Sequence, residues 1–151
     1  MRLVFCGTAL GEASFRARAY YAGPGNHFWP TLAAVGITPR RFAPPEYADL
    51  LALGIGLTDL CKSHYGSDAQ LPADALDGEA LLWKVRLWKP QRLAFTSKTG
   101  ARAALGRAVD YGPQPEHWGD TRLWVLPSPS GRAVKFWDAS VWKALADDLV
   151  T

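Results

Sequence analysis

The sequence predicts an α/β protein, folded as a single three-layer α/β/α domain around a four-stranded parallel sheet. Short, almost continuously apolar segments alternate along the chain with segments of helical periodicity. Such apolar runs are typical of parallel strands that helices cover on both faces. The length of 151 residues suits one domain with its own core, and 48% hydrophobic residues excludes a disordered chain. We therefore treat residues 1–151 as one domain.

Four segments are predicted as buried strands because they are short, apolar and bounded by turn residues. They are RLVFCG (Arg2–Gly7), GIGLTDL (Gly54–Leu60), RLAFTS (Arg92–Ser97) and RLWVLPS (Arg122–Ser128). Ligands of open parallel sheets bind outside the carboxyl ends of the strands. The segments at these ends are therefore expected to form one cleft, and they are GTALG, TDLCKSHYGSD, TSKTG and SPSGRA.

Five segments have the apolar spacing and the end signals of helices, such as proline in the first turn and glycine after the last. They are NHFWPTLAAVG, PPEYADLLALG, GEALLWKVRLWKP, KTGARAALG and a last helix between Ala133 and Val150. The resulting order, β-α-α-β-α-β-α-β-α, predicts helices on both sides of the sheet.

The composition limits the possible classes of function. The formal charge of +3 permits contact with nucleic acid, although no basic tail is present. The two cysteines, Cys6 and Cys61, are too few for an all-cysteine iron–sulfur cluster or a four-cysteine zinc site, and we expect buried free thiols. We expect neither a metal nor an organic cofactor. No apolar run is long enough to span a bilayer or to act as a secretion signal, which predicts a cytoplasmic protein, nucleoid-associated if bacterial.

The first strand runs into the glycine corner GTALG, a place where backbone often approaches a ligand. The corner matches neither GxGxxG nor GxxxxGK[ST], so a general nucleotide-binding module is disfavoured. The tyrosine pair of the following loop offers an aromatic face for a planar ring, whereas Phe28 and Trp29 are expected to lie in the core.

The segments FCGTALGEAS, YYAGPGNHFW, GIGLTDLCKSHYGSD and LWVLPSPSGRA, in this order, resemble the uracil-DNA glycosylase superfamily. They are most similar to its mismatch-specific uracil/thymine-DNA glycosylases and its hypoxanthine-DNA glycosylase branch, over nearly the whole chain. The resemblance implies a monofunctional DNA glycosylase of base-excision repair. Such an enzyme flips uracil out of DNA, hydrolyses its N-glycosidic bond and leaves an abasic site. It would act as a monomer on uracil-containing DNA.

The resemblance also places the base pocket at the first strand end, where Tyr21 matches the aromatic residue that stacks on the flipped base. The mismatch-specific enzymes have an asparagine at the position of Ala9, and that asparagine positions the attacking water. Alanine has no side-chain group for this task. The base-binding residues implied by the resemblance are Gly7, Thr8, Ala9, Gly11, Ser14 and Tyr21.

Two residues are candidates for the catalytic role that Ala9 lacks. Asp59 ends the second strand, where a carboxylate could orient water, stabilise the sugar cation or accept a hydrogen bond from a base N–H. Its structural alternative is a turn or helix cap. Asn26 matches an asparagine that is tied to catalysis in the hypoxanthine branch, and its alternative is the cap of the helix that follows. The sequence leaves both candidates open.

The last motif and the third strand end are expected to contact DNA phosphates through backbone N–H groups, hydroxyls and charge. Many relatives have a histidine at the position of Ser128. Arg132 falls where relatives insert a wedge residue into the duplex. The predicted DNA contacts are Ser97, Lys98, Ser128, Ser130, Gly131 and Arg132.

Two alternative functions remain. A hypoxanthine-preferring glycosylase, or one with a broader range of deaminated bases, would use the same fold. A catalytically silent protein that binds lesions would explain the alanine at Ala9, although the strand-end carboxylate of Asp59 argues against it.

Overall fold

The fold is given by a computed structural model that describes residues 1–8, 14, 18–61, 77–131 and 137–150. Within these residues five strands form one sheet in the order β2-β1-β3-β5-β4. Strands β1, β2, β3 and β5 are parallel, and β4 runs antiparallel to β5 along one edge. The strands are β1 Leu3–Gly7, β2 Ile55–Asp59, β3 Arg92–Phe95, β4 Gly112–Trp118 and β5 Thr121–Val125.

The four parallel strands confirm the predicted α/β fold, and the sheet has one strand more than the four predicted. The additional strand, β4, contains Pro113 and Pro115, which argue against a central strand because proline cannot donate to the ladder. Proline is tolerated at an edge, and β4 is an edge strand whose residues alternate between more and less buried positions.

The helices follow the predicted order, with one difference. The helices are α1 Phe28–Ala34, a 3-10 helix Pro44–Leu53, α2 Gly78–Trp88, α3 Lys98–Leu105 and α4 Ala139–Leu149. Helix α4 starts at Ala139, after the described residues Trp137 and Asp138, because Asp138 caps it by accepting a hydrogen bond from the Ser140 amide at 2.9 Å; the predicted start near Ala133 lies outside the described residues. The PPEYADLLAL segment forms a 3-10 helix instead of an α-helix. No helix in the described part of the chain is long and apolar enough to cross a membrane.

Two hydrophobic clusters cover the two faces of the sheet and make the three-layer arrangement. Leu3 and Phe5 pack into one cluster with Phe28 and Trp142, whereas Val4 and Cys6 belong to the other. Successive residues of β1 thus point to opposite faces and are all buried. Phe28 and Trp29 lie in the core, and Cys6 and Cys61 are buried thiols, as the sequence predicts.

The start of the 3-10 helix is held by Glu46, whose carboxylate accepts hydrogen bonds from the Ala43 amide at 2.8 Å and from the Arg40 guanidinium at 2.6 Å. The Arg40 hydrogen bond, followed by that of the Ala43 amide, lowers the pKa of Glu46 to about 2. The same helix carries Tyr47, whose ring meets the Tyr20 ring edge-on with centroids 5.4 Å apart. Glu46 therefore supports the contact between this helix and the tyrosine loop.

We expect Glu46 to contribute stability above its ordinary pKa of 4.5 and to lose this contribution as the pH falls towards about 2. Glu46→Gln removes the charge, so the variant should lose less stability than the parent between pH 5 and pH 2. Urea unfolding at several pH values in this range measures the difference. Parallel acid profiles for parent and variant would contradict the prediction.

Candidate active site

The carboxyl ends of three neighbouring strands, β2, β1 and β3, lie side by side. Gly7 of β1 lies opposite Asp59 of β2 in the parallel register. Beyond this pair, the Leu60 amide donates to the Gly7 carbonyl at 2.9 Å and the Cys61 amide donates to the Thr8 carbonyl at 2.7 Å. These hydrogen bonds continue the ladder into the loops and fix the two strand ends side by side.

Three polar side chains converge on the α-carbon of Gly7. A Cβ atom at this position would lie 2.7 Å from Asp59 Oδ1, 3.5 Å from the Tyr21 hydroxyl and 3.7 Å from Thr96 Oγ1. The first distance is shorter than a real Cβ contact, so any side chain at this position would force the Asp59 carboxylate to move. The Asp59 side chain is buried, with the residue only 5% exposed. The structure thus brings three of the predicted site residues, Gly7, Tyr21 and Asp59, to one point.

Tyr21 lies in a backbone conformation that residues other than glycine adopt rarely, with φ at 54°. Its ring stacks on Phe28 at a centroid distance of 3.9 Å, and its hydroxyl lies 3.1 Å from Thr96 Oγ1. Burial, and then the negative charge of Asp59, raise the pKa of Tyr21 well above its ordinary value, although the Thr96 hydrogen bond lowers it. The phenol is therefore neutral, and either hydroxyl can donate the hydrogen bond that joins Tyr21 to Thr96.

Ser14 holds the loop that carries Tyr21. Its Oγ accepts a hydrogen bond from the Ala22 amide at 2.7 Å, and its carbonyl accepts one from the Ala19 amide at 3.1 Å. The indole of Trp29 donates to the Tyr20 carbonyl at 3.0 Å from the core side. Ser14, predicted to line the pocket, is thus a buried anchor of the tyrosine loop.

Asn26 stands at the start of α1, and its side-chain oxygen accepts a hydrogen bond from the Phe28 amide at 2.9 Å. This contact corresponds to the capping role considered for Asn26. Next to it, the His27 amide donates to the Pro129 carbonyl at 2.7 Å. A Cβ atom on Gly131 would lie 2.8 Å from the Pro24 carbonyl oxygen. The GPGN loop and the SPSG loop therefore touch through their backbones.

The two predicted phosphate-contacting segments follow β3 and β5, so both lie at the carboxyl ends of the parallel strands. Ser97 caps α3 by accepting a hydrogen bond from the Gly100 amide at 3.1 Å, and the Lys98 ammonium lies 4.4 Å from the centre of the Tyr111 ring. In the other segment, Ser128 Oγ accepts a hydrogen bond from the Ser130 amide at 3.3 Å. Both serine hydroxyls that accept these bonds stabilise their own loops.

Thr96 is a site residue that the sequence analysis did not single out. It is the first residue after β3, is 4% exposed, and donates from Oγ1 to the Cys6 carbonyl at 3.4 Å. Its position at a strand end, in TSKTG, was the signal that could have identified it. Three of the predicted site residues, Ala9, Gly11 and Arg132, lie outside the described residues. In the part of the chain that the structure describes, no group of three or more His, Cys, Asp and Glu side chains could hold a metal.

Comparison with known proteins identifies the family of the chain and a similar fold. The sequence model of the Uracil DNA glycosylase superfamily matches residues 1–147. The fold is similar to a solution NMR structure from Methanosarcina acetivorans, of a protein described as a candidate uracil DNA glycosylase. The TM-score is 0.69 at 22% sequence identity, and the match covers 100% of this chain and 92% of the other. At this identity the likeness supports the fold.

We expect Gly7→Ala to impair base release from DNA strongly while the protein still folds. The added methyl group would displace the Asp59 carboxylate, and overpacking of this kind costs about 1–3 kcal/mol of stability. The measurements are the rate of base release and the free energy of unfolding.

Gly56→Ala in β2 is the matched control, because its Cβ would meet the flexible end of Met1 at 3.0 Å and Val4 Cγ2 at an ordinary van der Waals distance of 3.4 Å. This variant should keep the parent activity. Equal activity of Gly7→Ala and Gly56→Ala would contradict the importance of the close approach at Gly7.

Proposed function

We propose, since the chain belongs to the uracil DNA glycosylase superfamily, that it hydrolyses the N-glycosidic bond of uracil in DNA and leaves an abasic site. Family membership identifies the class of enzyme, a DNA glycosylase. The observation that supports a base pocket is the corner in which Asp59 and Tyr21 meet above Gly7. A flipped base would lie against the Tyr21 ring with its hydrogen-bonding edge towards Asp59.

Asp59 is well suited to recognise a deaminated base. An ionised carboxylate only accepts hydrogen bonds, so it requires an N–H on the edge of the base. Uracil presents N3–H and hypoxanthine presents N1–H, whereas the corresponding ring nitrogens of cytosine and adenine are acceptors. A buried carboxylate left facing an acceptor would be unfavourable, and this discriminates each deaminated base from its parent.

The same carboxylate supplies the charge that the bond cleavage needs. As the bond to the base breaks, positive charge develops on the sugar, and a buried carboxylate at the N–H edge of the base stabilises this charge through space, whereas the attacking water approaches the opposite face of the sugar carbon. Ala9 carries no side-chain group for this task. We therefore assign the main catalytic role to Asp59.

Asn26 is assigned a supporting role. Its side-chain oxygen is engaged by the Phe28 amide, so the groups it can offer to a ligand are the two N–H donors of its amide. Such donors suit a carbonyl oxygen of the base, on which negative charge grows as the base leaves. With Asp59 as the acceptor and Asn26 as the donor, the two side chains would together match the N–H and carbonyl groups of uracil.

The loops that follow β3 and β5 are proposed to bind the DNA backbone. The Ser130 amide is engaged by Ser128 Oγ, so Gly131 would offer its backbone N–H group and Lys98 would add charge at the start of α3. Because the Ser97 and Ser128 hydroxyls stabilise their own loops, we expect their contribution to come through loop shape. Arg132 would fill the gap that the flipped nucleotide leaves.

Hypoxanthine is the second candidate base. The N–H criterion that Asp59 imposes is met equally by hypoxanthine, and the GPGN loop with Asn26 resembles the hypoxanthine branch. The substrate panel below therefore includes both bases.

The test is an incubation of the purified protein with end-labelled oligonucleotides, followed by alkali. Single strands and duplexes carry one uracil, one hypoxanthine, or one thymine opposite guanine. We expect alkali-dependent cleavage at uracil. Asp59→Asn should lower the rate by at least ~100-fold, and Asn26→Ala by about tenfold.

Asp49→Asn is the control, because Asp49 is an exposed aspartate of the 3-10 helix. It should leave cleavage unchanged. A larger loss in Asn26→Ala than in Asp59→Asn would reverse the assigned roles. Cleavage at hypoxanthine but not at uracil would show that hypoxanthine, and not uracil, is the substrate base. Binding of lesion DNA without cleavage would identify a catalytically silent lesion-binding protein.

A further inference from the structure

Tyr21 is connected to the centre of the sheet through Thr96. Thr96 Oγ1 lies 3.4 Å from the Cys6 carbonyl oxygen, and the Thr96 amide donates to the same carbonyl at 2.9 Å. The Tyr21 and Thr96 hydroxyls lie 3.1 Å apart and share a hydrogen bond in which either oxygen can be the donor. A chain of hydrogen bonds therefore runs from the phenol through Thr96 to the backbone of β1.

The other ring contacts of Tyr21 are with Phe28, at a centroid distance of 3.9 Å, and with Tyr20, at 6.4 Å. The stack on Phe28, with planes 21° apart, sets the plane of the ring but permits it to slide. The backbone is also in the disfavoured left-handed region, and Arg18 in the same loop has φ at 53°. A hydrogen bond at the far end of the ring prevents both the sliding and a return of the loop to a more relaxed conformation.

We propose that Thr96 is a positioning residue that anchors the Tyr21 hydroxyl, so that the ring face not covered by Phe28 receives the flipped base beside Asp59. This inference rests on the proposed function. Thr96 acts through Tyr21 and not on the base, because its hydroxyl already serves both Tyr21 and Cys6.

A positioning role predicts a particular kinetic signature. Stacking on Tyr21 binds the base in the ground state and in the transition state alike, so its loss raises KM and leaves kcat nearly unchanged. Thr96→Val keeps the shape of the side chain and removes the hydroxyl. We expect KM for uracil-containing DNA to rise roughly three- to tenfold, which is the effect of one hydrogen bond, with kcat within about twofold of the parent.

Three further variants separate positioning from general destabilisation. Thr96→Ser should restore the parent KM, and Tyr21→Phe should raise it as Thr96→Val does. The double variant Tyr21→Phe/Thr96→Val should be no worse than either single one, because both remove the same bond. Tyr21→Phe also serves if Thr96→Val does not fold.

Thr121→Val is the matched control. Thr121 is 3% exposed and donates to the Pro90 carbonyl at 2.6 Å, in the first residue of β5 and so at the opposite end of the sheet. This variant should lose stability and keep the parent KM. An unchanged KM in Thr96→Val, or an equal rise of KM in Thr121→Val, would overturn the positioning role.

Hydrogen exchange tests the inference independently of catalysis. The Ala22 amide, which follows Tyr21, is protected by its bond to Ser14 Oγ at 2.7 Å. Thr96→Val should accelerate its exchange more than Thr121→Val does. If the parent protein releases no base, the proposed function fails. The exchange rate of the Ala22 amide then tests the anchoring of Tyr21 by itself. Faster exchange in Thr96→Val then supports the anchor, and unchanged exchange overturns it.

Discussion

The parallel register that places Gly7 opposite Asp59 is the constraint on which the site depends. Because β1 lies between β2 and β3, its end is bordered by a strand end on each side. The absence of a side chain at Gly7 leaves room there for the Asp59 carboxylate, the Tyr21 phenol and the Thr96 hydroxyl. A slip of one residue would turn the side chains of β2 to the opposite face and remove Asp59 from the corner.

The aromatic core extends into this corner without a break. Phe5 and Trp142 pack against Phe28, with ring centroids 5.1 Å and 5.9 Å from it, and Phe28 in turn stacks on Tyr21. The pocket face is therefore supported by a buried cluster that includes α1 and α4. A site supported in this way is already formed before DNA binds, and this lowers the entropic cost of binding a flipped base.

The sequence predicted the elements that follow local residue patterns. It was less informative for features that depend on contacts between residues distant along the chain. Apolar runs predicted the four parallel strands, and strand ends predicted the place of Asp59. The edge strand was missed because Pro113 and Pro115 oppose strand formation locally, whereas pairing with β5 outweighs them. The left-handed conformation of Tyr21 and its bond to Thr96, 75 residues away along the chain, depend on tertiary contacts that no short pattern encodes.

The most direct test of this account is a crystal structure of the protein with duplex DNA that carries 2′-fluoro-2′-deoxyuridine, a nucleotide that resists cleavage. The account predicts a uracil turned out of the duplex, stacked on the Tyr21 ring, with N3 within about 3 Å of an Asp59 oxygen. A uracil that remains in the duplex, or that binds away from Gly7, Tyr21 and Asp59, would contradict it.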